Sequence, residues 1–350
     1  MSKKHTKKQI LNKAAEFSNC KNIKQVSFVL KVSPMQLATS ALLPQYYYFK
    51  MKKLKGGFRN IEAPEPPLKK LQRKLNTYLQ YCYYSEQTKA AYGFIINPRK
   101  QKAKNIVSNA QQHKNNSYML NIDFDDFFHQ ISIKEVIAIF RKSPFNFNKN
   151  TAGILSKICT NKGRLPMGAP TSPVLSNFAC SGLDKELQQW ADTRIITYTR
   201  FVDDLTFSSN MPITKQHYNE IKEITDKYDF QIETTKTKWY GKEQEKTVTG
   251  LTVGETIAIP EAYYTELDKD LHRLQKTTEV HIITGQVYKA DAGKKFKQEI
   301  MGKINFIAVV HGYDGNKYET YMQKYEDAIN PPDKDELSMR WLRFSNYMQF

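Results

Sequence analysis

Apolar and polar positions change period several times along the chain, and each change predicts an element. Between residues 1 and 45, Ile10, Leu11, Ala14, Ala15 and Phe17 make a rough helical stripe, interrupted later by Pro34 and Pro44. Alternation around Gly56-Gly57 in residues 46–64 predicts a β-hairpin. Leu68, Leu71, Leu75, Tyr78, Leu79 and Cys82 then share one face of a long helix. Ala91-Tyr-Gly-Phe94 reads as a turn opening a strand, and Leu120 to Phe128 as a short apolar strand ending in carboxylates. Residues 129–160 look helical, with a polar break over 144–150, and a loop over 163–173 leads into a helix through Leu175, Phe178 and Leu183. Tyr198, Phe201, Val202, Leu205 and Phe207 suit a strand-turn-strand hairpin. A helix from Tyr218 to Tyr228 and a ribbon over 239–253 follow. The last hundred residues predict two or three amphipathic helices. One carries the stripe Tyr264, Leu267, Leu271, Leu274 and another Phe296, Ile300, Ile304, Ile307.

Charge narrows the class. Fifty-three Lys+Arg against 35 Asp+Glu give a formal +18, which favours a polyanionic partner. With 21 Tyr and 19 Phe to stack on bases, that partner reads as nucleic acid. Residues 1–55 hold twelve Lys and one acid, Glu16, and fit either a solvated tail or a basic arm along RNA phosphates. Cys20, Cys82, Cys159 and Cys180 are scattered without metal-ligand spacing, as reduced thiols in the cytoplasm are. No apolar run approaches the ~20 residues of a membrane span, and the basic N-terminus lacks an apolar signal core.

Candidate chemistry centres on Asp203 and Asp204 at the tip of the 198–209 hairpin. Adjacent like charges in an apolar setting repel and lose hydration, so they call for a cation, and hard oxygen ligands select Mg²⁺ or Mn²⁺. Alone, the pair equally fits a solvated turn. A second strand, Leu120-Asn-Ile-Asp-Phe-Asp-Asp-Phe-Phe128, brings Asp123, with Asp125 and Asp126 either further acids or turn solvation. Two strands that each deliver an acid to one point can hold two ions about 3.5–4 Å apart. One activates an attacking hydroxyl and the other steadies a leaving pyrophosphate. In Leu165-Pro-Met-Gly-Ala-Pro-Thr-Ser-Pro173, Gly168 permits close backbone approach to a substrate and Pro173 fits a first helical turn.

These boxes resemble those of reverse transcriptases. Phe201-Val-Asp-Asp204 resembles their aromatic-x-Asp-Asp box, Asp123 with Phe127-Phe128 their first catalytic strand, 165–173 the loop-helix between, and 230–237 their post-catalytic strand ending in Lys-Thr. Asn109-Ala-Gln-Gln-His113 and Val248-Thr-Gly250 resemble two signatures of the bacterial retron branch. The resemblance covers roughly residues 45–255. It implies an α+β right-hand polymerase with an antiparallel palm sheet, fingers and an α-helical thumb. The corresponding divisions are a basic helical extension 1–45, fingers 46–118, palm 119–253 with finger elements around 140–165, and thumb 254–350.

Site roles follow by the same resemblance. Asp123, Asp203 and Asp204, with the Phe124 carbonyl, bind two Mg²⁺ (or Mn²⁺). Arg59, in a Gly-Gly-x-Arg-x-Ile frame, clamps the triphosphate beside Lys53, a point charge. Phe128 is the aromatic gate against a ribose hydroxyl. Met167 and Gly168 border the nucleotide, Met167 standing where the family usually has Gln, whose amide hydrogen bonds it lacks. Lys236 serves as general acid for pyrophosphate, or is a surface lysine. Asn109, His113, Val248, Thr249 and Gly250 bind RNA.

A retron enzyme implies a dedicated structured non-coding RNA as template, dNTPs, priming from an internal guanosine 2′-hydroxyl and a branched RNA–DNA product. It also implies a separate effector protein in phage defence, and no membrane. The alternatives are a free-standing or intron-type reverse transcriptase using a 3′ primer, a protein-primed polymerase without a template, and an idle RNA-binding scaffold. The intact acid set speaks against idleness. The short C-terminal stretch, without nuclease or zinc signatures, speaks against an attached endonuclease or RNase H domain.

Overall fold

The basic N-terminal stretch folds, and its capping chemistry shows why. In the computed structural model, which describes residues 5–52, 56–284, 290–333 and 335–339, α1 (Lys7–Ser18) begins at Thr6. The Thr6 hydroxyl accepts from the Gln9 amide, and the Gln9 side chain accepts from the Thr6 N–H. Asn22 caps α2 (Ile23–Leu30), and Ser33 caps α3 (Pro34–Leu42), with Pro34 in its first turn. Ile10, Phe17, Val26, Leu30 and Leu37 are buried, while Lys7, Lys8, Lys21 and Lys24 stay exposed. Phe17 packs on Tyr78, Phe145 and Phe147, so the extension is part of the core and not a solvated tail.

Strands β1 (Tyr46–Lys52) and β2 (Phe58–Pro64) form the predicted hairpin, in register from Tyr46 opposite Pro64 to Lys52 opposite Phe58. Then comes α4 (Pro66–Glu86), which buries Leu68, Leu71, Leu75 and Leu79 on one face. The predicted strand near Ala91 is only a bridge from Ala91 to Arg200, and α5 (Ile106–Ala110) follows. Beyond it lie β3 (Tyr118–Asp123), α6 (Ile133–Arg141), α7 (Lys149–Cys159), α8 (Ser172–Ala179) and α9 (Ser181–Asp192). The helix expected through Leu175 and Leu183 is therefore two helices meeting at Cys180.

Next come β4 (Thr197–Phe201), β5 (Asp204–Ser209), α10 (Lys215–Lys227), β6 (Lys238–Tyr240) and β7 (Lys246–Val248). The strand expected over 230–237 reduces to a bridge from Phe124 to Ile232 and a 3₁₀ turn, Thr234–Lys236. A four-stranded sheet in the order β4-β5-β3-β6, antiparallel throughout, carries the acids.

The chain divides into compact units at residues 1–249 and 250–350. In the second, β8 (Leu251–Val253) pairs with β9 (Ile257–Ala258), followed by α11 (Glu261–Thr284), α12 (Ala290–His311) and α13 (Asn316–Ile329). Tyr264, Leu267, Leu271 and Leu274 face inward from α11, and Ile300, Ile304 and Ile307 from α12. Tyr264 stacks on Tyr321 at 5.5 Å, and Lys303 pairs with Glu266 and Asp270 at 2.8 and 2.7 Å. No described helix is long and apolar enough to cross a membrane.

Candidate active site

Register brings the acids together. β3 and β5 pair so that Asp123 stands directly opposite Asp204, and Asp203 precedes it in the turn from β4. The Phe124 N–H donates to the Asp203 carbonyl at 3.2 Å, and the Glu233 N–H to the Asp123 carbonyl at 2.8 Å, which ties β3 to its neighbours on both sides. The Phe124 ring is buried against Phe127 and Phe230, anchoring the strand end beneath the acids.

Crowding shows in the protonation. Burial, then the charge of Asp123, raises Asp203 above the usual carboxylate range. Asp204 is pushed up to about 7 by desolvation on its protein side, by Asp203 and Asp123, and by a hydrogen bond with Asp123. Lys236 supplies a local cation. Its ammonium bonds Asp123 Oδ1, and although burial opposes its charge, that bond and the Asp123 charge hold its pKa above the ordinary lysine value. Among the described residues, no group of three His, Cys, Asp or Glu side chains is gathered as a ready ligand set, and Asp123 is drawn to Lys236 instead.

One cleft of about 800 Å³ takes in Asp123, Phe124, Asp203, Asp204 and Lys236 together with Arg59, Phe128, Met167 and Gly168. Lys53 lies outside the described residues. Arg59 enters from β2 and is near enough to favour the charged form of Asp203. Phe128 lines the cleft, its ring centre 5.4 Å from that of Phe127.

Gly168 has a second reason to be glycine. Its φ is 128°, and a Cβ there would meet the Glu62 carbonyl oxygen and Ile61 Cγ2 at 2.9 Å each. The backbone it admits is that of β2, while Gly168 also lines the cleft, and the Glu62 N–H seals the joint by donating to the Met167 carbonyl at 2.7 Å. Glu62 also binds Arg164 Nη2 at 2.7 Å, and His129 lies between Glu62 and Asp126, at 3.0 and 2.6 Å. That cleft-wall cluster went unread in the sequence, because its members are separated by up to a hundred residues.

The two short signatures fare differently from the acids. Asn109 and His113 are buried, at 1% and 0% exposure, so they present no surface to RNA. His113 bonds Ser208 Oγ and Thr199 Oγ1, both at 2.7 Å, and burial pushes it down to about 3, a neutral ring that braces β4 and β5. Val248 is also fully buried. Only the turn residues remain open. Thr249 and Gly250 have φ of 49° and 84°, a pair of positive values typical of a tight type I′ turn, and Thr249 Oγ1 donates to the Ile106 carbonyl at 3.4 Å.

An antiparallel sheet whose neighbouring strands bring carboxylates into a cleft with a guanidinium is the framework of a palm-type nucleic-acid polymerase. The chain belongs to the reverse transcriptase family and, within it, to the bacterial retron reverse transcriptases. The family described as reverse transcriptase (RNA-dependent DNA polymerase) matches residues 50–253. The chain is 31% identical to the retron Ec86 reverse transcriptase of Escherichia coli over 67% of its own length and 69% of that protein's. With the retron Mx162 reverse transcriptase of Myxococcus xanthus identity is 28%, over 59% of this chain and 47% of that one, so the chain spans about half of that relative. Among solved structures, telomerase from Candida albicans, in complex with a fragment of telomeric RNA, aligns with a TM-score of 0.44 and 10% identity. That alignment covers 82% of this chain and 63% of the telomerase.

Proposed function

We propose that the cleft is the polymerisation site of a retron enzyme that copies a dedicated structured RNA into DNA. The observation that carries this reading is the convergence of Asp123, Asp203 and Asp204 in one cleft with Arg59 and Phe128. The donor chemistry suits a hard divalent cation, since Asp203 and Asp204 have raised pKa values and Asp204 hydrogen-bonds Asp123, and Lys236 must release Asp123 for the three to close on an ion. Asp123, Asp203 and Asp204, with the Phe124 carbonyl, would hold Mg²⁺ or Mn²⁺. Such ions, when bound, supply charge neutralisation to a transferring phosphoryl group.

The chain's own groups do the rest. Arg59 binds the nucleotide phosphates, with Lys53 as a further point charge. Phe128 packs where a ribose 2′-hydroxyl would sit and so selects deoxynucleotides by repulsion. Met167 borders the nucleotide with an apolar side chain and positions it by contact, not by an amide hydrogen bond. Lys236 holds a proton beside the reacting phosphates. Residues 46–118 act as fingers, 119–253 as palm and 254–350 as thumb. Half-buried Thr249 and exposed Gly250 are the members of the retron signatures left to meet RNA, through a hydroxyl and an open backbone.

Priming from an internal guanosine 2′-hydroxyl, a branched product, and a separate effector protein in phage defence complete the proposal. They rest on the likeness to retron enzymes. Primer extension with Mg²⁺ beside filter binding of RNA tests the site: Asp203→Asn and Asp204→Asn should each abolish synthesis and retain RNA binding. Near-wild-type extension by both would remove the assignment. Synthesis on the cognate RNA should give DNA that stays RNA-linked until a debranching activity releases it. A product starting from a free 3′ end would refute 2′ priming.

A further inference from the structure

The tip of the acid-bearing hairpin is held in a conformation its residue type disfavours. Val202 has φ 66°, in the left-handed region that β-branched side chains rarely enter. Such strain persists only where the surroundings enforce it. Two contacts do so. Gly93 lies so close that a Cβ on it would come within 2.8 Å of Val202 Cγ2 and 3.0 Å of the Val202 nitrogen. The Val202 carbonyl accepts from Arg200 Nη1 at 3.0 Å.

Both contacts belong to one buried network. Arg200 and Asp184 are each 0% exposed. Arg200 Nε and Nη2 donate to the two Asp184 oxygens at 2.8 and 2.7 Å, and Nη1 also donates to Asn177 Oδ1 at 3.1 Å. Asn177 Nδ2 in turn donates to the Gly93 carbonyl at 2.9 Å, which fixes the glycine that presses on Val202. Asp184 also accepts from the Tyr198 hydroxyl at 3.0 Å and from Thr88 Oγ1 at 2.8 Å. The Arg200 N–H donates to the Ala90 carbonyl at 2.8 Å.

A buried ion pair is a poor device for stability, since apolar replacements often match or exceed it. A guanidinium does something an apolar side chain cannot: it aims several donors along fixed directions. Here one of them ends on the carbonyl immediately before Asp203.

We propose that Arg200, anchored by Asp184, is a positioning residue that locks the Val202 tip in its left-handed conformation and so sets where Asp203 and Asp204 stand relative to Asp123. The inference rests on those acids being the reacting centre, and its test includes a control for that.

Arg200→Lys keeps the charge but cannot span Asp184, Asn177 and the Val202 carbonyl together. Its kcat in primer extension should fall about a hundredfold, the effect of misplacing a reacting group by ~1 Å, with KM for the nucleotide little changed. Amide exchange at Asp203 and Asp204 should quicken in the same variant. Glycine adopts φ 66° without penalty, so adding Val202→Gly to Arg200→Lys should restore part of the lost kcat. If Arg200→Lys does not fold, Arg200→Met with Asp184→Leu leaves no buried charge and is measured in the same way.

A folded variant with wild-type kcat overturns the proposal. So does a loss that follows melting temperature alone and is not relieved by Val202→Gly. Asp203→Asn separates the two levels. If it extends primers normally, the reading of the acids falls and the proposal with it. If it is inactive while Arg200→Lys works normally, only the positioning role falls.

Discussion

Replacing Gly168 with alanine strikes the joint between β2 and the loop that leads into α8. A φ of 128° is strained for any residue with a Cβ, at about 1–3 kcal/mol. The added methyl would come within 2.9 Å of both the Glu62 carbonyl oxygen and Ile61 Cγ2. The side chain can turn, but the carbonyl belongs to a strand and cannot swing aside, so overpacking adds about 1–3 kcal/mol. Relief by moving β2 breaks the 2.7 Å bond from the Glu62 N–H to the Met167 carbonyl, roughly 1 kcal/mol more.

The whole change is about 3–7 kcal/mol, a large part of the stability of an ordinary domain. At 2–4 °C per kcal/mol for a unit of this size, the melting temperature should fall by about 6–28 °C. Because β2 carries Arg59 and Ile61 into the cleft, KM for dNTP should rise more than kcat falls. Thermal melting and steady-state primer extension read both effects. A Gly168→Ala protein that melts within ~2 °C of wild type with unchanged KM would refute the close approach.

Three further outcomes are expected. Phe128→Ala should admit ribonucleotides, read as the ratio of ATP to dATP incorporated, and an unmoved ratio would leave the ring as packing alone. His113→Ala strands the buried Thr199 hydroxyl, leaves Ser208 with the Asn116 amide, and should cost about 1–3 kcal/mol, with synthesis on cognate and generic templates falling together. Loss confined to the cognate RNA would contradict that. The raised Asp204 pKa gives the folded state an extra proton between the ordinary value of 3.8 and about 7, so stability without metal should fall as pH rises through that window. Melting in EDTA from pH 4 to 8 should show this slope flattened in Asp204→Asn, and equal slopes in both proteins would count against it.

What the sequence disclosed was local. The hairpin around Asp203, the strand ending at Asp123 and the Gly56-Gly57 hairpin each declare themselves within a dozen residues, through alternation and turn chemistry. Gathering them needed only that the strands pair, which their apolar faces favour. What it hid depends on distant partners. That Gly168 also makes room for β2 could not be seen until the two were found together. Asn109 and His113 look like polar surface, but two hydroxyls from β4 and β5 satisfy the His113 ring. Arg200 sits beside a catalytic motif in a very basic chain, and nothing in its neighbours reveals a carboxylate sixteen residues back. The strand expected over 230–237 failed because Ile232 makes a single bridge before the chain turns at Thr234–Lys236.

The packing of Phe17 bears on how the chain is made. Its ring is covered by Tyr78, Phe145 and Phe147, the last of them synthesised roughly 130 residues later. At bacterial-to-eukaryotic elongation rates of about 5–20 residues per second, that interval is about 6–26 s. A helix the length of α1, 12 residues, is marginal in water by itself, and α4, which carries Tyr78, is made about halfway through that interval. The lysine-rich stretch therefore completes its packing only once α4 and the segment between α6 and α7 have emerged.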